Sequence, residues 1–255
     1  MFSWLVPRSR PLIVAHRGSS KFAPENTLAA FRRAIDDGAD AVELDIRCAA
    51  DGEVIVIHDS GLGRTAGERG RVEQMTLDEL KSLSAGSWFH RRFAHERIPT
   101  LDEVFDLVHG RLGVNIEIKS SRLRRGHCDI VDRCVEIVRR HGVGSTVLIS
   151  SFHHGYLDEF QAKVPDVAVG YLFHPLKRIG RSPVRATKRK GGQYLIMSSR
   201  SVRKHMIEHA HAEGLMVGAF TINTRKQFGR ALRLGVDAIY TDDPGGMRKF
   251  LNASK

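Results

Sequence analysis

The chain has 255 residues, 42% of them apolar, which excludes a disordered or fibrous polypeptide and suits one α/β barrel of roughly 250 residues. Forty Lys and Arg against 29 Asp and Glu give a formal charge of +11; that positive field favours anions, whether phosphate esters, nucleic acid or an anionic membrane surface. Cys48, Cys128 and Cys134 show no paired spacing, so neither a disulfide framework nor a zinc pattern is expected, only thiols in a reducing compartment.

In chain order, the first eight residues carry a short apolar patch halted by Pro7, Arg8 and Arg10. It lacks the basic start and the roughly 7–15-residue apolar core of a signal peptide. No window approaches the roughly 20 apolar residues of a membrane span. A cytoplasmic chain without a transmembrane segment is expected, with peripheral contact to an anionic membrane as the most its charge suggests. Short apolar runs follow at 12–15, 41–46, 53–57, 114–118, 146–150, 167–172, 194–197, 215–220 and 236–240. Most are rich in Val and Ile and apolar throughout, the pattern of parallel strands covered on both faces. Helical spacing separates them. Leu28, Phe31, Ala34 and Ile35 form one such face, opening near Pro24-Glu25-Asn26-Thr27 and stopping at Gly38; Ile130, Cys134, Ile137 and Val138 form another, stopped by Gly142.

Nine runs are one too many for an eight-stranded barrel. Only residues 47–52 separate the second run from the third, whereas a parallel crossover needs a dozen or more residues. That linker ends in Asp51-Gly52, a turn signal. The 53–57 run is therefore expected to be a β-hairpin extension of strand 2, returning His58 to the rim where Glu43 and Asp45 sit. The fold expected is a TIM (β/α)8 barrel, with residues 1–255 as one domain and residues 59–99 as an insertion within it. The insertion carries a helical pattern at 77–83 and the aromatics Trp88, Phe89 and Phe93. A long loop at the strand C-termini is expected to be a lid or substrate wall. Further on, Lys177, Arg178, Arg181, Arg185, Lys188, Arg189 and Lys190 make a basic stretch, either a solvated face or a dock for an anionic partner.

Several residues at strand ends carry chemistry. His16-Arg17-Gly18 ends the first strand, placing an acid/base group and a cation at the rim, with a glycine for a sharp turn. Glu43 and Asp45, two apart in a strand, face the same side. Burying both charges is costly without a positive partner; either a hard cation with oxygen ligands, Mg²⁺ or Ca²⁺, or ion pairs with Arg17 or Lys119 would supply it. Glu117 and Lys119 repeat the geometry on another strand, adding a third carboxylate and a second cation. This set suits a phosphate gripped between a metal and basic side chains, and disfavours zinc. His58-Asp59 offers a second imidazole, and phosphodiester cleavage needs one group to remove a proton and another to donate one.

In order, His16-Arg17-Gly18, Pro24-Glu25-Asn26-Thr27, Gly38-Ala39-Asp40, Glu43-x-Asp45, Asp51-Gly52, His58-Asp59, Arg64-Thr65, Ile98-Pro99-Thr100-Leu101, Glu117-x-Lys119, Ser150-Ser151-Phe152, Thr221-Ile222-Asn223 and Thr241-Asp242-Asp243-Pro244 span nearly the whole chain. This series closely resembles the glycerophosphodiester phosphodiesterase family. The resemblance implies metal-dependent hydrolysis of glycerophosphodiesters to sn-glycerol 3-phosphate and an alcohol. It assigns acid/base roles to His16 and His58, one divalent ion (Mg²⁺ or Ca²⁺) to Glu43, Asp45 and Glu117, and phosphate contacts to Arg17 and Lys119. Phe220 stands where the family usually has Trp; it keeps a flat apolar wall against the substrate but loses the indole donor. A lysophospholipase D acting on lysolipid diesters, including relatives resembling sphingomyelinase D, is the alternative substrate reading, favoured by the basic stretch and the insertion's aromatics. A non-catalytic phosphate- or nucleic-acid-binding barrel is disfavoured, because three converging carboxylates repel a polyanion. The sequence specifies neither the head-group alcohol nor the oligomeric state.

Overall fold

Each of the nine apolar runs is a strand in the computed structural model, which describes residues 2–6, 8–120, 128–173 and 182–253. The strands are β1 (Leu12–His16), β2 (Ala41–Cys48), β3 (Val54–Val56), β4 (Gly113–Ile118), β5 (Val147–Ser151), β6 (Ala168–Phe173), β7 (Tyr194–Ser198), β8 (Met216–Phe220) and β9 (Ala238–Thr241). Running from β4 through β9 to β1 and β2, every neighbouring pair is parallel, and β1 pairs with both β2 and β9 to close a TIM barrel. The ninth strand is the short return inferred from the linker: β3 runs antiparallel to the end of β2, with Ile46 opposite Val56 and Cys48 opposite Val54.

Helices pack outside the barrel because each has one apolar face and a capped start. In α1 (Leu28–Asp36) the Thr27 side chain accepts from the Ala30 N–H, and Phe31 and Ala34 are buried. In α4 (Ile130–Arg140) six residues including Cys134 and Val138 face the strands. Inside the barrel, Leu12, Val14, Leu148, Ile196 and Tyr240 pack with Trp4.

Trp4 fills the end of the barrel opposite the strand C-termini. It is 1% exposed, its Nε1 donates to the Thr146 carbonyl at 2.9 Å, and Tyr194 Oη donates to the Trp4 carbonyl at 2.7 Å. What reads in sequence as a minor apolar patch is thus a plug of the barrel floor. Trp4→Ala is expected to cost about 3–5 kcal/mol, measured as a fall in the denaturant midpoint at unchanged slope.

The expectation of three free thiols is corrected. Cys48, at the end of β2, is bonded to Cys128, 80 residues later, and only Cys134 is free, its thiol pushed up to about 12 by burial. The pairing arises because β2 lies beside β4, the strand before α4, and Cys128 stands just ahead of that helix. No spacing rule reports that. The cysteines therefore no longer argue for a reducing compartment. Of the basic stretch, Lys177, Arg178 and Arg181 lie outside the described residues; Arg185, Lys188 and Arg189 are exposed on α6 (Pro183–Arg189). No helix among the described residues is long and apolar enough to cross a membrane.

Candidate active site

Strand register assembles the site. His16 on β1 lies opposite Glu43 on β2, Glu43 lies opposite Asn115 on β4, and Asp45 lies opposite Glu117. Side chains of one parity along three adjacent strands therefore meet at the C-terminal mouth of the barrel.

After β1 the chain turns through Arg17 and Gly18, at φ 56° and 80°. A Cβ on Gly18 would stand 2.6 Å from that of Ala30, so the turn tolerates no side chain there. It aims the Arg17 N–H at Glu43 Oε2 (3.0 Å) and the Arg17 guanidinium at Glu25 Oε1 (2.8 Å) and Asp45 Oδ2 (3.3 Å). Asp45 is fully buried. Its Oδ2 accepts from Asn26 Nδ2 at 2.8 Å, and the Lys119 ammonium lies 2.9 Å from its Oδ1 and also contacts Glu117.

Three carboxylates thus share two cations, and one negative charge is left over. Its effect is visible in the titration of the cluster. Burial pushes Asp45 up, but Lys119 and Arg17 outweigh it and hold that carboxyl well below the ordinary range. Glu43 has no ion pair among the described residues: burial, then the charge of Asp45, raises it to about 7 against the opposing charges of His16 and Arg17. Glu117 is also raised, chiefly by burial. Asp45 Oδ1, although buried, accepts no hydrogen bond of good geometry. One oxygen each from Glu43, Asp45 and Glu117 lies within 4.8 Å of the others. An all-oxygen donor set with a surplus negative charge fits a hard divalent cation.

The two imidazoles are held alike. His16 Nδ1 is 2.8 Å from Asp242 Oδ1, and His58 Nδ1 is 2.6 Å from Asp59 Oδ1. A carboxylate on Nδ1 fixes the tautomer and turns Nε2 outward; among the described residues neither Nε2 has a hydrogen-bond partner. Asp242 is itself held by Asn223 Nδ2 at 2.5 Å. His58 is anchored through its carbonyl, which accepts from Arg47 Nε at 2.9 Å. Arg64 links Asp59 (2.6 Å) to Glu25 (2.7 Å). Burial opposes the charged form of both rings. At His16, Asp242 and Glu43 outweigh it and the pKa is raised; at His58 burial prevails and the pKa is lowered.

A cavity of about 230 Å³ opens over these groups. It is lined by seven of the eight side chains expected from sequence (His16, Arg17, Glu43, His58, Glu117, Lys119 and Phe220), and Asp45 lies beneath them. Phe220 meets Phe152 edge to face at 6.3 Å, and these rings with Leu172, Ile196 and Tyr240 form an apolar side. The insertion's Trp88, Phe89 and Phe93 pack on one another and do not line this cavity. Sequence reasoning gave no chemical part to Asp242, Asp59, Glu25 or Asn26, although all four lie in the quoted motifs. Asp59 neighbours His58 in sequence, whereas Asp242 meets His16 only once the barrel closes.

The sequence profile of the glycerophosphoryl diester phosphodiesterase family matches residues 16–246. The chain belongs to that family. As a member of this hydrolytic family, it is an enzyme. A glycerophosphodiester phosphodiesterase from Caldanaerobacter subterraneus subsp. tengcongensis is 36% identical over 237 residues, covering 92% of this chain and 95% of the relative. Among solved structures, an Oleispira antarctica phosphodiesterase in complex with the product sn-glycerol-3-phosphate superposes with a TM-score of 0.87 at 30% identity, covering 95% of this chain and 97% of that one. A glycerophosphodiester phosphodiesterase from Agrobacterium tumefaciens superposes with a TM-score of 0.82 at 30% identity, covering 94% and 100%. The family's profile begins on His16 itself.

Proposed function

We propose that the chain hydrolyses glycerophosphodiesters to sn-glycerol 3-phosphate and an alcohol, using His16 and His58 as the acid/base pair and one divalent ion, Mg²⁺ or Ca²⁺, on Glu43, Asp45 and Glu117. The observation that carries this reading is one cavity holding two carboxylate-backed imidazoles, a three-carboxylate cluster and two cations. When bound, the ion neutralises charge on a nonbridging phosphate oxygen and acts as a Lewis acid. Arg17 and Lys119 orient the phosphate and offset charge that develops on it. One imidazole removes a proton from the nucleophile, water or the glycerol 2-hydroxyl, and the other protonates the departing alkoxide; a cyclic phosphate formed by the 2-hydroxyl is then opened by water to glycerol 3-phosphate. Phe220 and Phe152 give the carbon skeleton an apolar wall.

Release of glycerol 3-phosphate from a panel of glycerophosphodiesters, with Mg²⁺, Ca²⁺ or chelator, tests the reading. Product that requires a divalent ion supports it. Phe152, 45% exposed at the cavity mouth, is the observation that favours the lysolipid alternative. Faster turnover of lysophosphatidylcholine than of glycerophosphocholine would establish that substrate class instead.

A pH dependence follows from the two rings. Turnover needs one imidazole neutral and one protonated, so kcat/KM is expected to be bell-shaped, with one limb below 6.5 set by His58 and one above 6.5 set by His16. The bell is the same whichever ring is the acid. Asp242→Asn removes a group that raises His16, so the alkaline limb is expected to move to lower pH while the acid limb stays. An unmoved alkaline limb would detach His16 from it.

A further inference from the structure

The cleft does not end at His58. A second cavity, of about 380 Å³, shares His58 and Lys119 with the first; its other walls are Arg47, Asp59, Ser60, Arg71 and Ser120. A diester whose phosphorus lies between Lys119 and His58 has two arms, and the two cavities meet at those side chains. Their chemistry differs sharply. The first presents Phe152, Leu172, Ile196 and Phe220, whereas among the described residues the second has no apolar side chain in its lining.

The second cavity is also unevenly charged. Behind it Glu73, 5% exposed, accepts from Ser60 Oγ (2.7 Å) and from Arg47 Nη1 (3.3 Å). Arg47 is further committed to the carbonyls of His58 and Ser120. Asp59 is occupied by His58 and Arg64. Arg71 is different. Its nearest carboxylate is Glu73 at 3.8 Å, its side chain is 39% exposed, and among the described residues its guanidinium donates no hydrogen bond. Beyond that loose ion pair, its planar fork of N–H donors borders the cavity without a hydrogen-bond partner among the described residues, a geometry matched to carboxylate or phosphate oxygens.

We infer that the second cavity is the head-group subsite, and that Arg71 makes it selective for alcohols carrying an anionic oxygen group over those carrying a quaternary ammonium. This rests on the reading of the chain as a glycerophosphodiester hydrolase and adds the class of leaving alcohol to it. Arg71 is a specificity residue here, since it touches the departing alcohol and not the reacting phosphorus.

Three substrates of graded charge test it: bis(glycerophospho)glycerol with a second phosphodiester, glycerophosphoglycerol with a neutral head group, and glycerophosphocholine with a cationic one. The expected wild-type order of kcat/KM is anionic, then neutral, then cationic, a measurement that needs no variant. Arg71→Met keeps the aliphatic stem and is expected to lower kcat/KM for the anionic substrate by about tenfold or more, the size of a charge-assisted hydrogen bond, and to raise it for glycerophosphocholine, whose cationic head group is no longer repelled. Arg71→Lys, which keeps the charge but loses the fork, is expected to retain part of the preference. Equal rates on all three substrates, or an equal loss on all three in Arg71→Met, would overturn the subsite alone. No glycerol 3-phosphate from any of them would overturn the hydrolase reading and the subsite together.

Discussion

His16→Ala and His58→Ala are each expected to lower kcat by about 10²–10⁴-fold on glycerophosphodiesters with an alkyl leaving group, the usual weight of one positioned acid or base. The two losses should not add, because both protons move in one displacement; the double variant is expected near the worse single one. The substrate glycerophospho-p-nitrophenol separates the roles, since p-nitrophenolate departs without a proton. The variant lacking the acid should recover most of its turnover on it, and the variant lacking the base should not. Kinetics would thereby name the acid, which the pH profile cannot do. If both variants lost the same factor on both substrates, the division into one donor and one acceptor would be wrong. Asp242→Asn and Asp59→Asn remove the group that fixes each ring by its Nδ1, at 2.8 and 2.6 Å. Each is expected to reproduce the pattern of its own histidine at smaller size, because the imidazole remains but its tautomer is no longer held.

The parts of this site legible in the sequence are those decided by short-range geometry. Glu43 and Asp45 could be placed together because a strand has period two, and Glu117 with Lys119 for the same reason. The hairpin was legible because residues 47–52 are too few for a parallel crossover, and that inference returned His58 to the mouth of the barrel. Glu43, for its part, has its raised pKa first from burial and then from Asp45 two residues away. Other features were not legible, and in each case the cause is closure at long range. His16 meets Asp242 across 226 residues of chain, a contact that exists only because β1 pairs with β9. Cys48 and Cys128 approach because β2 and β4 are neighbours. Asn26 reaches Asp45 from a left-handed backbone at φ 56°, a conformation its residue type allows but does not announce. Trp4 seemed part of a stray apolar patch because the hole it fills is built by strands that begin later in the chain.

Glu43→Gln is expected to abolish most of the activity and to relieve the fold at the same time. The ion's share of transition-state charge stabilisation is several kcal/mol, about a thousand-fold in kcat/KM. The stability effect has the opposite sign and depends on pH. In the metal-free protein Glu43 titrates at about 7 instead of 4.5, so the native state binds its proton more tightly than the unfolded chain does. The contribution of Glu43 to stability is then fully present below 4.5 and is lost as pH rises from there through 7. A divalent ion on the cluster counters the decline by replacing the proton. The gain in Tm on adding Mg²⁺ or Ca²⁺ to chelator-treated protein is therefore expected to be larger at pH 8 than at pH 5, where the ligand must first give up its proton. Gln has the same shape and no charge. The variant should lose this slope, match or exceed the metal-free wild type in Tm at pH 8, and gain little from added ion. If it melted below the metal-free wild type at pH 8, the Glu43 charge would already be balanced by Arg17 and Lys119, and the case for a metal on these three carboxylates would fail with it.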